Sequence, residues 1–286
     1  MSTIRVESLR HVYSANTPFE KVAIDNIDLT IGHGELVAII GHTGSGKSTF
    51  IQHLNALLQP SSGTVFVDDA DINADKISRR DVKRKVGLVF QYPEYQLFEE
   101  TVYKDIAFGP ENMKLSKEEV DQRVREAARF VGVDEELFES SPLELSGGQK
   151  RRVAIAGVIA MRPGVLILDE PTAGLDPAGC RQILDNICRY RKESGSTVII
   201  VSHNMDDVAR IAERVIVFNE GGIAMDGKPN EIFCQPRKLM DMGLNVPHSS
   251  LIALELEKLG FPVSCPCYTP QQLKAAILAE KEAGIC

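Results

Sequence analysis

Long hydrophobic runs are missing from this chain of 286 residues. Its longest apolar stretches, at 165–168 and 198–201, have the length of short strands, far below the roughly 20 residues of a membrane span. Any membrane contact is therefore expected through a partner or a surface patch. The N-terminal Met1-Ser2-Thr3-Ile4-Arg5-Val6 carries no apolar signal-peptide segment. Basic charge is in deficit: 32 Lys and Arg stand against 40 Asp and Glu, a net charge of -8, with a pI of about 5.4. A broad grip on phosphate backbones needs a basic surface, so nucleic acid is not an expected partner. The one basic run, Arg79-Arg80-Asp81-Val82-Lys83-Arg84-Lys85, reads as a solvated helix face. The paired cysteines of a small secreted domain are also missing. Cys180, Cys188, Cys234, Cys265, Cys267 and Cys286 are scattered, which suits a reducing compartment. Cys265-Pro266-Cys267 hints at a metal site with Cys286 or His248, but no paired C-x-x-C accompanies it, which argues against one. There is no internal repeat and no low-complexity segment.

What is present is ordinary globular composition: 43% hydrophobic and 25% charged residues, enough for a sizeable core. The length suits one large domain plus an appendage. Residues 4–13, 22–31 and 64–67 read as strands, and 36–40, 86–90, 165–168, 198–201 and 215–218 as buried strands. Helices are expected over 48–58, 117–131, 147–160, 178–194 and 205–212. Residues 91–112, with Pro93, Gly109 and Pro110, resist regular assignment. Strands alternating with helices define an α/β fold with a mostly parallel sheet covered on both faces. Beyond Gly227 prolines punctuate short helical pieces, among them 249–259 and 270–282, so residues 228–286 read as a small C-terminal appendage.

Three motifs carry chemistry. Gly41-His42-Thr43-Gly44-Ser45-Gly46-Lys47-Ser48-Thr49 follows an apolar strand and opens a helix, the context a phosphate loop requires. Its glycines let backbone N–H groups curl round phosphate oxygens, and the helix N-terminus adds its dipole. Lys47 would neutralise phosphate charge, and the Ser48 hydroxyl would ligate Mg²⁺. Residues 165–168 lead an apolar strand into Asp169 and Glu170. Asp169 suits support of the same cation, and Glu170 suits polarisation of an attacking water. Leu145-Ser146-Gly147-Gly148-Gln149 places a capping serine and two glycines at another helix N-terminus, a second anion cradle. A protein with two such cradles either binds two nucleotides or completes a site on a neighbour.

These residues resemble the ABC ATPase superfamily over roughly residues 4–227, with the helical subdomain at about 92–160. The resemblance implies a RecA-like P-loop core, an antiparallel β-subdomain and an inserted helical subdomain. It also implies a dimer that buries two ATP molecules, each between one chain's phosphate loop and the other's signature. Under it, Tyr13 matches the aromatic that stacks on adenine, although a half-buried strand tyrosine reads the same way. Gln91 matches the glutamine that senses Mg²⁺, water and the membrane partner; Asp176 ends the Ala173-Gly174-Leu175-Asp176 loop that crosses the dimer; His203 matches the histidine that contacts the γ-phosphate. ATP and Mg²⁺ are the implied cofactors, and Glu170 with His203 implies a hydrolysing subunit.

A narrower likeness is to the energy-coupling factor (ECF) transporter ATPases of vitamin and cobalt/nickel uptake. It rests on Thr17-Pro18-Phe19-Glu20-Lys21, on the stretch from Gln91-Tyr92-Pro93-Glu94-Tyr95-Gln96-Leu97-Phe98 to Thr101, on residues 145–157, and on the appendage. Asp169-Glu170-Pro171-Thr172-Ala173-Gly174-Leu175-Asp176 is similar to the second of the two ATPases such transporters carry. The implied partners are a second ATPase, forming a heterodimer, a transmembrane coupling protein and a membrane-embedded substrate-binding protein. The chain would then sit peripherally on the cytoplasmic side of the cell membrane, with dimer contacts in the appendage. Tyr92, Tyr95, Leu97, Phe98, Val102, Tyr103 and Phe108, mixed with Glu94, Glu99, Glu100 and Asp105, suit an apolar groove with an acidic rim for a partner helix bearing arginines. The same residues also read as subdomain core with solvated acids. An ATPase of another importer or exporter stays open. A soluble ABC ATPase acting on macromolecules is disfavoured by the acidic pI and by the lack of sustained heptads in residues 50–144.

Overall fold

The computed structural model describes residues 3–261, 263 and 266–282. Two sheets organise it. In the first, β1 (Ile4–Tyr13) pairs antiparallel with β2 (Lys21–Ile31) and with β4 (Ser62–Val67), and β5 (Ala70–Asp71) closes the order β2-β1-β4-β5. The second contains β3 (Leu36–Gly41), β6 (Val86–Val89), β7 (Val165–Asp169), β8 (Thr197–Val201), β9 (Arg214–Asn219) and β10 (Gly222–Gly227), in the order β10-β9-β3-β8-β7-β6. Its pairs are parallel except β9 with β10. The strands β3, β6, β7 and β8 are buried along their whole length, which is why they read as continuous apolar runs.

Alternation along each strand sorts the side chains between the two faces. Val37, Ile39, Val165, Ile167, Ile199, Val201, Ile216 and Phe218 face α1 (Lys47–Leu54) and the antiparallel sheet. Leu166, Leu168, Val198 and Ile200 face α5 (Gly147–Ile159) and α6 (Pro177–Ser194). Ala38, Ile40, Val215 and Val217 face α7 (Met205–Ile211), α8 (Pro229–Phe233) and the chain around α9 (Pro236–Asp241), through Ile232, Phe233, Leu239, Leu244 and Val246. Helices α10 (His248–Lys258) and α11 (Pro270–Glu282) pack on one another beyond that layer. The basic run lies on α2 (Lys76–Lys85).

The helical subdomain joins α3 (Val102–Asn112) and α4 (Lys117–Val131) to α5. Residues 91–112 are thus more regular than the sequence suggests. Thr101 caps α3 by accepting from the Lys104 N–H at 3.3 Å. Gly109 is where α3 meets the chain after α5: a Cβ there would lie 2.6 Å from Cγ of Met161. Pro110 lies inside the last turn of α3 and gives up the N–H that would donate one turn back, so the helix ends shortly after it. Conversely, the helix expected over 48–58 stops at Leu54. Ala56 turns left-handed (φ 53°), and the N–H groups of Leu57 and Leu58 both return to the Gln52 carbonyl.

Cys234 is disulfide-bonded, which runs against the reducing compartment that the scattered cysteines suggested; Cys180 and Cys188 are free. Cys265 and Cys286 lie outside the described residues. Among the described residues no group of three or more His, Cys, Asp or Glu is placed to hold a metal, and no helix is long and apolar enough to cross a membrane.

Candidate active site

A cleft of about 770 Å³ opens where the phosphate loop leaves β3 and enters α1. Gly44 (φ 84°) and Gly46 (φ 103°) are left-handed, and a Cβ on Gly46 would meet the Ala23 carbonyl at 2.6 Å. That leaves a loop of bare backbone curled against β2, as a phosphate cradle needs. Gly41, Thr43, Gly44, Gly46, Lys47, Ser48 and Thr49 line the cleft. Ser45 is fully buried instead: its N–H donates to the His42 carbonyl at 3.2 Å, and its hydroxyl has no hydrogen-bond partner among the described residues. The Lys47 ammonium arches over the loop, donating to the carbonyls of Gly41 at 2.6 Å and His42 at 3.0 Å. Burial pushes its pKa down, against the pull of Glu170 and Asp169.

Asp169 closes β7 and Glu170 follows it in a left-handed conformation (φ 51°), with its N–H tied to the Val201 carbonyl at 2.9 Å. Such a backbone in a non-glycine residue is strained and belongs to sites where a side chain must be aimed. One Glu170 carboxylate oxygen lies 2.8 Å from Nδ1 of His203 and 3.4 Å from the His203 backbone N–H. Burial, then the neighbouring Glu170, pushes Asp169 up to about 6, while Lys47 and a hydrogen bond from Ser48 oppose the rise. Gln91 stands on the cleft wall just beyond β6, exposed. Tyr13 is half-exposed on the wall: its hydroxyl lies 3.2 Å from the Thr49 hydroxyl, and His11 meets its ring edge-on at 4.5 Å. The wall also includes Lys21 and Met205 and, from the far end of the chain, Gly243, Leu244 and Asn245. Lys21 ends the 17–21 stretch and Met205 opens α7, whereas Gly243, Leu244 and Asn245 lie in a turn after α9 that carries no motif.

The second cradle stands apart. Residues 146–149 and Asp176 contribute nothing to the cleft wall. Ser146 caps α5 reciprocally: its hydroxyl accepts from the Gln149 N–H at 3.3 Å, and its own N–H donates to the Gln149 side chain at 2.9 Å. A Cβ on Gly147 would meet nothing within 4 Å, so the glycine surface is open. Asp176 caps α6 by accepting from the Gly179 N–H at 3.2 Å. One chain therefore holds a phosphate loop with its acids and histidine, and a separate helix N-terminus with open glycines outside that cleft.

The aromatic stretch divides. Tyr92, Tyr95 (85% exposed), Phe98 (64%) and Phe108 reach solvent, and Phe98 meets Phe108 edge-on at 4.9 Å. Val102 is buried, and Tyr103 packs against Phe138 at 5.7 Å. Two of the acids expected on a rim are not there. Glu94 is paired with the buried Arg151 at 3.1 Å. Asp105 is buried and accepts from the N–H groups of Phe98 and Glu99, both at 3.3 Å. Burial raises its pKa. Glu94 finds its partner far along the chain, whereas Asp105 ties down the backbone just ahead of its own helix. Glu99 and Glu100 remain at the surface.

A phosphate loop, a strand-end acid pair and a separate signature cradle define an ATP-binding cassette. Residues 24–173 match the ABC transporter family, and the chain belongs to it. Within that family it is 56% identical over 277 residues to "Energy-coupling factor transporter ATP-binding protein EcfA2" of Clostridium perfringens, covering 96% of this chain and 97% of that protein. The protein of the same description from Clostridioides difficile is 48% identical, over 99% of this chain and all of that one. Among solved structures it resembles cbiO1 from Clostridium perfringens, described as part of the ABC transporter complex cbiONQ, with 39% identity, 90% and 96% coverage and a TM-score of 0.75. It also resembles the cassette MJ0796 in a dimer bound to ADP and Pi, with 30% identity, 79% and 98% coverage and a TM-score of 0.72. The chain is an ATP-binding and ATP-hydrolysing protein of the energy-coupling factor transporter group.

Proposed function

We propose that this chain is the second ATPase of an energy-coupling factor transporter for a micronutrient, a vitamin or cobalt/nickel. It sits peripherally on the cytoplasmic side of the membrane. It pairs there with a first ATPase and couples hydrolysis to a transmembrane coupling protein and a membrane-embedded substrate-binding protein. The observation that carries this reading is the separation of the two cradles: the phosphate loop faces its own cleft, and residues 146–149 face outward. Such a chain is half of two sites, and an opposed ATPase completes both.

ATP is seated by the loop backbone and Lys47, with Tyr13 against the base. Mg²⁺ fits the donor set, because the buried Asp169–Glu170 pair crowds negative charge beside the Ser48 hydroxyl. Ser48, Asp169 and Gln91 would hold the cation, which would supply neutralisation of phosphate charge. Glu170, held by His203, polarises the attacking water. The outward-facing Tyr95 and Phe98, with Glu99 and Glu100, offer the contact to the coupling protein. Affinity purification of the chain from native membranes tests the assignment. A second ATPase and a polytopic membrane protein are expected in stoichiometric yield. Recovery with soluble proteins alone rejects the transporter reading.

A further inference from the structure

Arg151 is the bulkiest of the fully buried side chains, at 2% exposure. It projects from α5, the helix whose first turn is the signature cradle. Its Nε donates to one Glu94 oxygen at 3.2 Å, and its Nη2 donates to both, at 3.1 and 3.2 Å. Its Nη1 donates to the Ala173 carbonyl. Its guanidinium carbon lies 5.9 Å from the centre of the Tyr92 ring. Glu94 follows Gln91 by one short turn, in a segment that opens with Tyr92 held left-handed (φ 56°). Ala173 lies between Glu170 and Asp176, and its N–H donates back to the Glu170 carbonyl at 3.2 Å. One side chain thus joins the Gln91 segment, the loop from Glu170 to Asp176 and the signature helix.

A guanidinium removed from water is costly unless its donors are met, and burying an ion pair is poor evidence of net stabilisation. What a rigid planar fork with several fixed acceptors supplies is geometry: it sets the spacing and angle of the segments that carry those acceptors. We infer that Arg151 is a positioning residue: through Glu94 and Ala173 it sets the register of the Gln91 segment against the signature helix and the Glu170–Asp176 loop. Gln91 is then correctly placed over the nucleotide only while this junction holds. The inference rests on the proposed role of Gln91 at the nucleotide.

The test uses the transporter purified with its membrane partners, carrying Arg151→Lys, Glu94→Gln, Gln91→Ala or Gln91→Ala with Glu94→Gln. Lysine keeps the charge and loses the fork; glutamine keeps the shape and loses the charge. Each of the first two is expected to lower kcat about tenfold, as loss of a charge-assisted hydrogen bond would. KM for ATP stays near wild type; the melting temperature of the isolated subunit is expected to fall somewhat, because the buried ion pair is broken, so kcat is compared well below every variant's melting temperature. Because Glu94 acts through Gln91, the double variant is expected to be no slower than Gln91→Ala by more than about twofold. Wild-type kcat in Arg151→Lys and Glu94→Gln overturns the inference. So does a double variant in which the two losses multiply, or a loss of rate that merely follows a fall in melting temperature. If Arg151→Lys fails to fold, Glu94→Gln, at a partly exposed carboxylate, still decides. Wild-type kcat in Gln91→Ala would remove the role of Gln91 beneath the inference; impaired Gln91→Ala beside normal Arg151→Lys and Glu94→Gln removes the inference alone.

Discussion

Asp169 and Glu170 are adjacent in sequence and nearly equally buried, yet they meet different neighbours. Asp169 closes a strand among apolar residues, whereas Glu170 is turned by its left-handed backbone onto His203. The Asp169 carboxyl titrates at 3.8 when unperturbed and at about 6 in the fold. Between those values the folded chain holds the extra proton, so stability falls as pH rises through the window, and the deficit stays in full above about 6. Asp169→Asn is therefore expected to stabilise the nucleotide-free subunit at pH 7.5 by about 1–3 kcal/mol in urea unfolding. The gain should vanish near pH 4, and the Mg²⁺-dependent part of ATP affinity should be lost. An unchanged urea midpoint at pH 7.5 contradicts the assigned burial. Glu170→Gln acts on chemistry instead: ATP binding is expected to persist and steady-state turnover in the assembled transporter to fall about 10²-fold or more. Unchanged turnover rejects Glu170 as the residue that polarises water. Both carboxylates were legible in the sequence because an apolar strand runs straight into them. The role of Glu94 was not, because its partner Arg151 lies far along the chain and no local pattern announces a buried ion pair.

At the scale of elements, strands and helices were legible where one period ran uninterrupted, as in β3, β7, β8 and α4. Helix α3 was not, because Gly109 and Pro110 read as breakers. What overrides them is tertiary: the close approach to Met161 requires a residue without a Cβ. Helix α1 carries a feature that the pattern of its residues does not show. His53 is fully buried, with its ring 4.8 Å from that of His11. Burial, then His11, lowers its pKa from 6.5 to about 4. The unfolded chain takes up this proton below 6.5 and the folded chain does not until about 4. The helix thus contributes stability above pH 6.5 that is lost as pH falls through that window. An acid-induced loss of about 2–3 kcal/mol is expected from this residue between pH 7 and pH 4. It should be measured in the Asp169→Asn background, because Asp169 shifts stability in the opposite direction. His53→Leu should flatten the profile; an equally steep profile would place the acid sensitivity elsewhere.

At the scale of the whole molecule, two surfaces can be tested for assembly. One is the patch of Tyr95 and Phe98 beyond Gln91. If these rings anchor a coupling helix, Tyr95→Ala or Phe98→Ala should weaken that interface by about 1–3 kcal/mol each. Complex yield and uptake would fall while the isolated subunit still binds nucleotide; full yield and normal transport would put the interface elsewhere. The other surface is the signature cradle, which residues 146–149 present away from the chain's own phosphate loop. A helix N-terminus with open glycines attracts an anion, and under the proposed pairing that anion is a phosphate of the nucleotide held by the opposite ATPase. Ser146→Arg keeps the chain's own loop, acids and histidine intact, so nucleotide binding to the isolated variant should match wild type. In a dimer with an unmodified partner, the bulky cation fills the cradle, and hydrolysis at the partner's phosphate loop is expected to fall about 10²-fold or more, as when preorganised transition-state contacts are removed. Following each site by cross-linking of a photoreactive ATP analogue separates the two effects. Loss of nucleotide binding to the variant monomer would mean that the cradle serves its own chain, and the site would then be complete without a second ATPase.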